Sequence, residues 1–168
     1  MINGVTIKKL KVCPDERGRL MEIMRADDNF FQKFGQVYMT TAYPGVVKGW
    51  HYHKKQTDNM AVIQGMMKIV LYDSRQESAT FGESCSAELT ADNRCMMYVP
   101  KGFAHGFLTL TEDTEAFYLI DEFYDPVCGR GVRWNDPRFA IQWPFAPLVI
   151  SERDQNYRNF DPAWHLTV

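Results

Sequence analysis

The stretch Gly49-Trp50-His51-Tyr52-His53-Lys54-Lys55-Gln56-Thr57-Asp58-Asn59-Met60-Ala61-Val62-Ile63-Gln64-Gly65 decides how this chain reads. His51 and His53 stand two residues apart, and on a β-strand that spacing turns both imidazoles to one face. A second stretch, Val99-Pro100-Lys101-Gly102-Phe103-Ala104-His105-Gly106-Phe107, brings a histidine from a distant strand. The chain holds four histidines, and three of them are therefore expected to share one pocket. Polar residues scattered over strand surfaces would lack so regular a spacing.

Away from these motifs the periodicity is mostly that of strands. Residues 37–41, 61–63, 67–72, 95–99 and 116–120 are short runs rich in β-branched, aromatic and apolar side chains. Turn signals punctuate them at Tyr43-Pro44-Gly45, Gln64-Gly65, Phe81-Gly82, Ala91-Asp92-Asn93, Pro100-Lys101-Gly102 and Asp125-Pro126. Many short strands at close intervals predict an all-β jelly-roll sandwich or barrel. Only residues 27–34 and 151–157 read as short helices. At 168 residues the chain suits a single domain spanning residues 1–168, with no internal repeat or linker.

Charge and targeting signals narrow the partners. Nineteen basic against twenty-one acidic residues give a net charge of −2, and basic runs stop at pairs such as Lys8-Lys9 and Lys54-Lys55. Neither nucleic acid nor an anionic membrane is expected, which leaves small molecules. The start of the chain lacks a signal core and no stretch is long and apolar enough to span a bilayer, so a cytoplasmic protein is expected. Cys13, Cys85, Cys95 and Cys128 fall at wide, unpatterned spacings and are read as reduced thiols.

The two histidine motifs resemble the paired motifs of a cupin-type jelly-roll barrel. The resemblance sharpens over the whole chain. Arg17-Gly18 with Glu22, Val47-Lys48-Gly49-Trp50-His51-Tyr52, Thr80-Phe81-Gly82 and Leu89-Thr90-Ala91-Asp92-Asn93 are similar, in order and interval, to segments of the dTDP-4-dehydrorhamnose 3,5-epimerase family. So are Val99 through Phe107, Tyr124-Asp125-Pro126, Trp134-Asn135-Asp136-Pro137, Ile141-Gln142-Trp143-Pro144 and Ser151-Glu152-Arg153-Asp154. Each segment alone is weak, and the ordered set is strong. It implies an all-β, cupin-type jelly roll with short peripheral helices.

The resemblance also implies a reaction: epimerisation of a nucleotide-linked 4-keto-6-deoxy sugar, dTDP-linked, without metal or cofactor. The C4 ketone acidifies its neighbouring C–H bonds, so a base can form an enolate and an acid can return the proton to the other face. By motif, His51 matches the base, Asp154 the carboxylate that orients it, and Tyr124 the acid. His105 matches a second pocket histidine near the oxyanion. Lys48 stands where an arginine contacts phosphates, Gln36 lies near a substrate-binding glutamine, and His53 takes the place of a glutamine. Arg17 and Glu22 fall in a segment that reaches the nucleotide of a neighbouring subunit, which implies a homodimer with an exchanged N-terminal strand. Read as lone residues, Tyr124 could be a strand-end aromatic, Asp154 a helix cap, and Arg17 with Glu22 an exposed ion pair.

One departure divides the readings. Asp58 stands where the family carries a lysine that would steady the enolate. Three arrangements reconcile it: a protonated Asp58, a positive charge from Lys48 (or, less directly, Lys68), or a metal ion among His51, His53, Asp58 and His105. The last defines a rival, a metal-dependent cupin of other chemistry, because H-x-H, a carboxylate and a distant histidine suit Zn, Fe, Mn or Ni. A third reading is a sugar-nucleotide-binding module without activity. The metal-free epimerase is favoured, on the argument that a metal would occupy the lone pair His51 needs, and Asp58→Asn is then expected to keep or raise activity.

Overall fold

The computed structural model describes residues 2–125 and 129–166. Among these, the strands are β1 (Thr6–Lys9), β2 (Lys11–Asp15), β3 (Gly18–Glu22), β4 (Gln36–Ala42), β5 (Val46–His53), β6 (Asp58–Gln64) and β7 (Met66–Asp73). They continue as β8 (Ser84–Thr90), β9 (Cys95–Val99), β10 (Phe103–Thr109), β11 (Thr114–Ile120), β12 (Gly129–Val132) and β13 (Val149–Ile150), before the helices α1 (Glu152–Asn156) and α2 (Pro162–His165). One sheet runs β1-β9-β6-β11-β4, the other β12-β5-β10-β7-β8 with β13 beside β5, and β2-β3 form a separate hairpin. The two large sheets close on one core as a jelly-roll barrel, the architecture expected from the sequence.

Strand alternation sorts the side chains. Met60, Val62, Met67, Ile69, Leu71, Met97, Phe103, Phe107 and Tyr118 face inward and form the inter-sheet core. Trp50, Val70, Tyr72, Ala104 and Val132 leave the opposite face of their sheet, where Phe139 and Phe160 from the C-terminal segment cover them. That second layer explains why every residue of β10 is buried. It also gives the Trp134–Pro137 motif a scaffolding role: Trp50 Nε1 donates to the Trp134 carbonyl (3.1 Å), and Asp136 accepts from Arg138 N (2.8 Å) and from Phe160 N.

The sheets and the C-terminal helix follow the sequence expectation, but residues 27–34 do not. They form turns closed by Asp28 N→Arg25 O (3.2 Å) and Phe31 N→Asp28 O (2.9 Å), not a helix. The reason is Asp28, whose carboxylate takes Arg25 N and the Lys8 ammonium and so holds the backbone in a loop. Lys68 is also excluded from the interior, since its ammonium bonds the Gln142 carbonyl (2.7 Å). Cys13, Cys85 and Cys95 form no disulfide among the described residues, while Pro126 and Cys128 lie outside them. Among the described residues, no helix is long and apolar enough to cross a membrane.

Candidate active site

β5 and β10 are antiparallel neighbours with His51 opposite His105, so the expected meeting of the motifs follows from register. Their ladder shifts between His105 and Phe107. Gly106 sits at the shift, and a Cβ there would stand 2.9 Å from the Lys48 carbonyl oxygen, so only glycine allows the close approach. His51, His53 and His105 then converge, with ring centroids 6.4 Å (51–53), 6.4 Å (51–105) and 5.4 Å (53–105) apart. They line a cavity of ≈ 550 Å³ together with Lys48, Asp154 and, from the facing sheet, Tyr38, Thr40 and Tyr118. That volume suits a drug-sized or sugar-sized ligand.

Asp154 reaches the site from α1. Ser151 caps the helix by accepting from Asp154 N (3.1 Å), and the carboxylate swings over β5, where Oδ2 accepts from Gly49 N (2.8 Å). Gly49 leaves the room, because a Cβ there would touch Asp154 Cβ at 3.3 Å. Asp154 Oδ1 lies 4.0 Å from His51 Nε2, and neither atom has a hydrogen-bond partner although both are buried. Burial is the main cause that lowers the His51 pKa to about 4; the neighbouring His105 adds to it and Asp154 opposes it.

Asp58 enters from the other sheet, at the start of β6, and is almost wholly buried. Its Oδ1 accepts from Gln56 Nε2 (2.6 Å), while Oδ2 faces His105 Nε2 at 3.6 Å and His53 Nε2 at 3.9 Å. Burial raises the Asp58 pKa, opposed by His53, Gln56 and His51. Burial likewise lowers His105 to about 3, with His53 contributing. Lys48 points into the cavity, its ammonium bonded to Thr40 Oγ1 and 5.7 Å from the Phe107 ring centre; burial lowers its pKa and Asp154 works against that.

The other expected site residues lie further out. Tyr124 stands at the mouth, 65% exposed, and shares with His51, His53 and Arg153 a depression that adjoins the cavity. Gln36 does not reach the cavity; its Oε1 accepts from Tyr124 N (3.0 Å). Arg17 and Glu22 sit on the β2-β3 hairpin and do not pair with each other: Arg17 binds Asp15, and Glu22 binds Arg25 (3.0 Å) and Lys11 (3.8 Å). Neither lines the histidine cavity.

Across this cavity the sequence matches a known family. The family profile for dTDP-4-dehydrorhamnose 3,5-epimerase matches residues 1–161. The chain belongs to that family. It is therefore an isomerase of the sugar-epimerase type. The spore coat polysaccharide biosynthesis protein SpsL of Bacillus subtilis is 37% identical over 146 residues, covering 85% of this chain and 97% of that one. The dTDP-4-dehydrorhamnose 3,5-epimerase of Methanothermobacter thermautotrophicus is 33% identical, covering 94% and 90%. A Legionella pneumophila epimerase solved in complex with dTDP-4-keto-L-rhamnose superposes with a TM-score of 0.87 at 28% identity, covering 94% of this chain and 88% of that one.

Tyr118 is the wall residue that sequence reasoning missed. It stacks on Tyr38 with ring centres 4.8 Å apart and planes 10° from parallel, and burial pushes its hydroxyl pKa well up, so it serves as a neutral apolar platform. The available signal was parity: Tyr118 alternates in phase with the inward Ala116 and Ile120 of β11.

Proposed function

We propose that this protein epimerises a dTDP-linked 4-keto-6-deoxy sugar at a carbon beside the C4 ketone, with His51 as base and Tyr124 as acid. The observation that carries the reading is the half-buried His51 facing the buried Asp154 carboxylate, 4.0 Å apart on the wall of the cavity. An N–H on Nε2 directed at Asp154 leaves the Nδ1 lone pair free to take a proton from the sugar. The C–H bond breaks, its electron pair moves into the C4 carbonyl as an enolate, and Asp154 offsets the charge gained by the imidazolium. Tyr124 then delivers its phenolic proton to the opposite face of the carbon, and the enolate electrons form the new C–H bond. The His51 imidazolium then releases its proton to solvent and the Tyr124 phenolate regains one at the exposed mouth, so the cycle closes with no net proton, oxidant or reductant consumed.

Burial leaves His51 neutral but weakens it as a base, and Asp154 works against that loss. A base that is neutral throughout the physiological range is always ready, and the substrate's own acidity and the enolate's surroundings then set the rate. Lys48 and His105 bind the substrate from the cavity wall, and Gln36 positions Tyr124 through its backbone N–H.

The remaining parts of the proposal concern assembly and setting. Residues 1–168 act as one domain in a cytoplasmic homodimer, in which the β2-β3 hairpin carries Arg17 and Glu22 to the nucleotide bound by the partner subunit. Two features support exchange: the hairpin pairs with neither large sheet, and edge strand β4 exposes Val37 and Met39. Sedimentation velocity at micromolar concentration is expected to give a dimer, and a monomer would end this part.

The decisive experiment incubates the protein with a panel of nucleotide-linked 4-keto-6-deoxyhexoses in deuterated water and reads the sugar carbons by NMR. Deuterium is expected at C3, C5 or both. Tight binding with no deuterium at any carbon would replace the enzyme by a binding module.

A further inference from the structure

The four groups that the sequence offers as one metal set do not stay together in the fold. His51 belongs to Asp154, whereas His53, Asp58 and His105 each bring a donor atom within 4.8 Å of the others. We infer that His53, Asp58 and His105 form a three-ligand site for a divalent first-row transition ion, with His51 outside the ligand set.

The distances favour a shared ion over hydrogen bonds. The Asp58 Oδ2 contacts of 3.6 Å and 3.9 Å to the two Nε2 atoms are too long for hydrogen bonds. Bonds of roughly 2.0–2.2 Å around an ion hold its ligand atoms about 3.3 Å apart, so Asp58 is already within a few tenths of an ångström of that spacing, and the two imidazoles, whose donor atoms lie within 4.8 Å, close the rest by side-chain rotation. Two imidazoles and one carboxylate suit Zn, Fe, Mn, Co or Ni, and three protein ligands leave open positions. Those positions face the cavity, because His53 and His105 both line it.

The site also answers an electrostatic need. The Lys48 ammonium bonds Thr40 Oγ1 and Arg153 lies 3.5 Å from Asp154 Oδ1, so neither is paired with Asp58. Behind His53 and His105, which line the cavity, stands the buried Asp58 carboxylate, with no lysine or arginine paired to it among the described residues. An ion held there would supply positive charge for a developing enolate. It does so without taking the lone pair of His51, which removes the objection that a four-ligand site raises. Its use in the reaction rests on the epimerase reading above; its binding does not. The consequence reverses the sequence expectation for Asp58→Asn, which is now expected to lower activity.

The test uses the full-length protein, stripped with chelator and titrated calorimetrically with Co²⁺ and with Zn²⁺, the visible absorption of Co²⁺ reporting its ligands. One ion per chain is expected, at micromolar affinity or tighter. Asp58→Asn and His53→Asn should each weaken binding at least about 50-fold, while His51→Asn changes it less than about threefold. His53 is partly exposed, with 21% of its side chain accessible, so His53→Asn keeps the test valid should Asp58→Asn fail to fold by circular dichroism. Absence of saturable binding, unchanged affinity in Asp58→Asn or His53→Asn, or loss of binding in His51→Asn would overturn the inference. Stoichiometric ion binding by a protein that washes no deuterium into any substrate would retain the site and discard the epimerase reading.

Discussion

Asp58 and Asp73 are both buried carboxylates at strand ends, and the chain treats them in opposite ways. Asp73 ends β7 and collects its donors from the following turn: Oδ1 accepts from Arg75 N (3.1 Å) and Nε (2.9 Å), and Oδ2 from Arg75 Nη2 (2.8 Å), Ser78 Oγ (2.6 Å) and Thr80 Oγ1 (2.6 Å). Burial pushes its pKa up, but these donors outweigh burial and hold it at about 2. Asp58 has the Gln56 amide on one oxygen, faces two imidazoles beyond hydrogen-bond reach with the other, and is raised by its burial. Local donors finish Asp73 as a structural anion. Asp58 is left for something that enters the cavity.

Asp154 stands between these extremes, fixed through Oδ2 by Gly49 N and presenting Oδ1 to His51. If that oxygen serves a base, His51→Asn should give the largest effect, a fall of about 10³- to 10⁴-fold in deuterium wash-in measured by NMR. Exchange at the wild-type rate would remove His51 from the mechanism and leave Asp154 a helix-end carboxylate like any other. Asp154→Asn should cost about 10²-fold in kcat, with the urea midpoint little changed. A fall in stability without a fall in rate would make Asp154 a second Asp73.

Sequence reasoning reached the members of this site unevenly, for physical reasons. The period of two along β5 reveals that His51 and His53 share a face, and the family-like order of segments supplies His105 and Asp154. It could not divide the four metal-type residues into two groups. That division depends on β6 lying in the sheet opposite β5, and on α1 folding back over Gly49. Local pattern also misjudged residues 27–34, where Asp28 spends its carboxylate on the backbone, and it gave no sign of the ladder shift at Gly106. The Thr80-Phe81-Gly82 segment was legible as a motif but not as the donor set of Asp73.

Asp73 gives the comparison its stability arm. Its folded pKa of about 2 lies below the usual 3.8, so its contribution is present above pH 3.8 and is lost as the pH falls through 2. At pH 7 the shift corresponds to about 2 kcal/mol, and Asp73→Asn should lower stability by that order while wash-in at 25 °C is unchanged. Denaturant midpoints at pH 7 and pH 2 are the measurement. The gap between wild type and variant should narrow at the lower pH, and a constant gap would mean that the amide is failing for reasons of shape and not charge.

The smallest change separates position from chemistry at Asp154. Gly49→Ala leaves both His51 and Asp154 in place, but its methyl would meet Asp154 Cβ at 3.3 Å and Cγ at 3.4 Å. Those contacts are tight without being prohibitive, so the α1 end must shift by a few tenths of an ångström, and the backbone N–H that holds Oδ2 shifts with it. Misplacement on this scale costs rate before it costs binding, because the base must align with one C–H bond. We expect kcat to fall about fivefold with KM and the urea midpoint nearly unchanged. If KM rose with kcat constant, Asp154 would be acting on substrate binding, and the pairing of His51 with a positioned carboxylate would lose its mechanistic meaning.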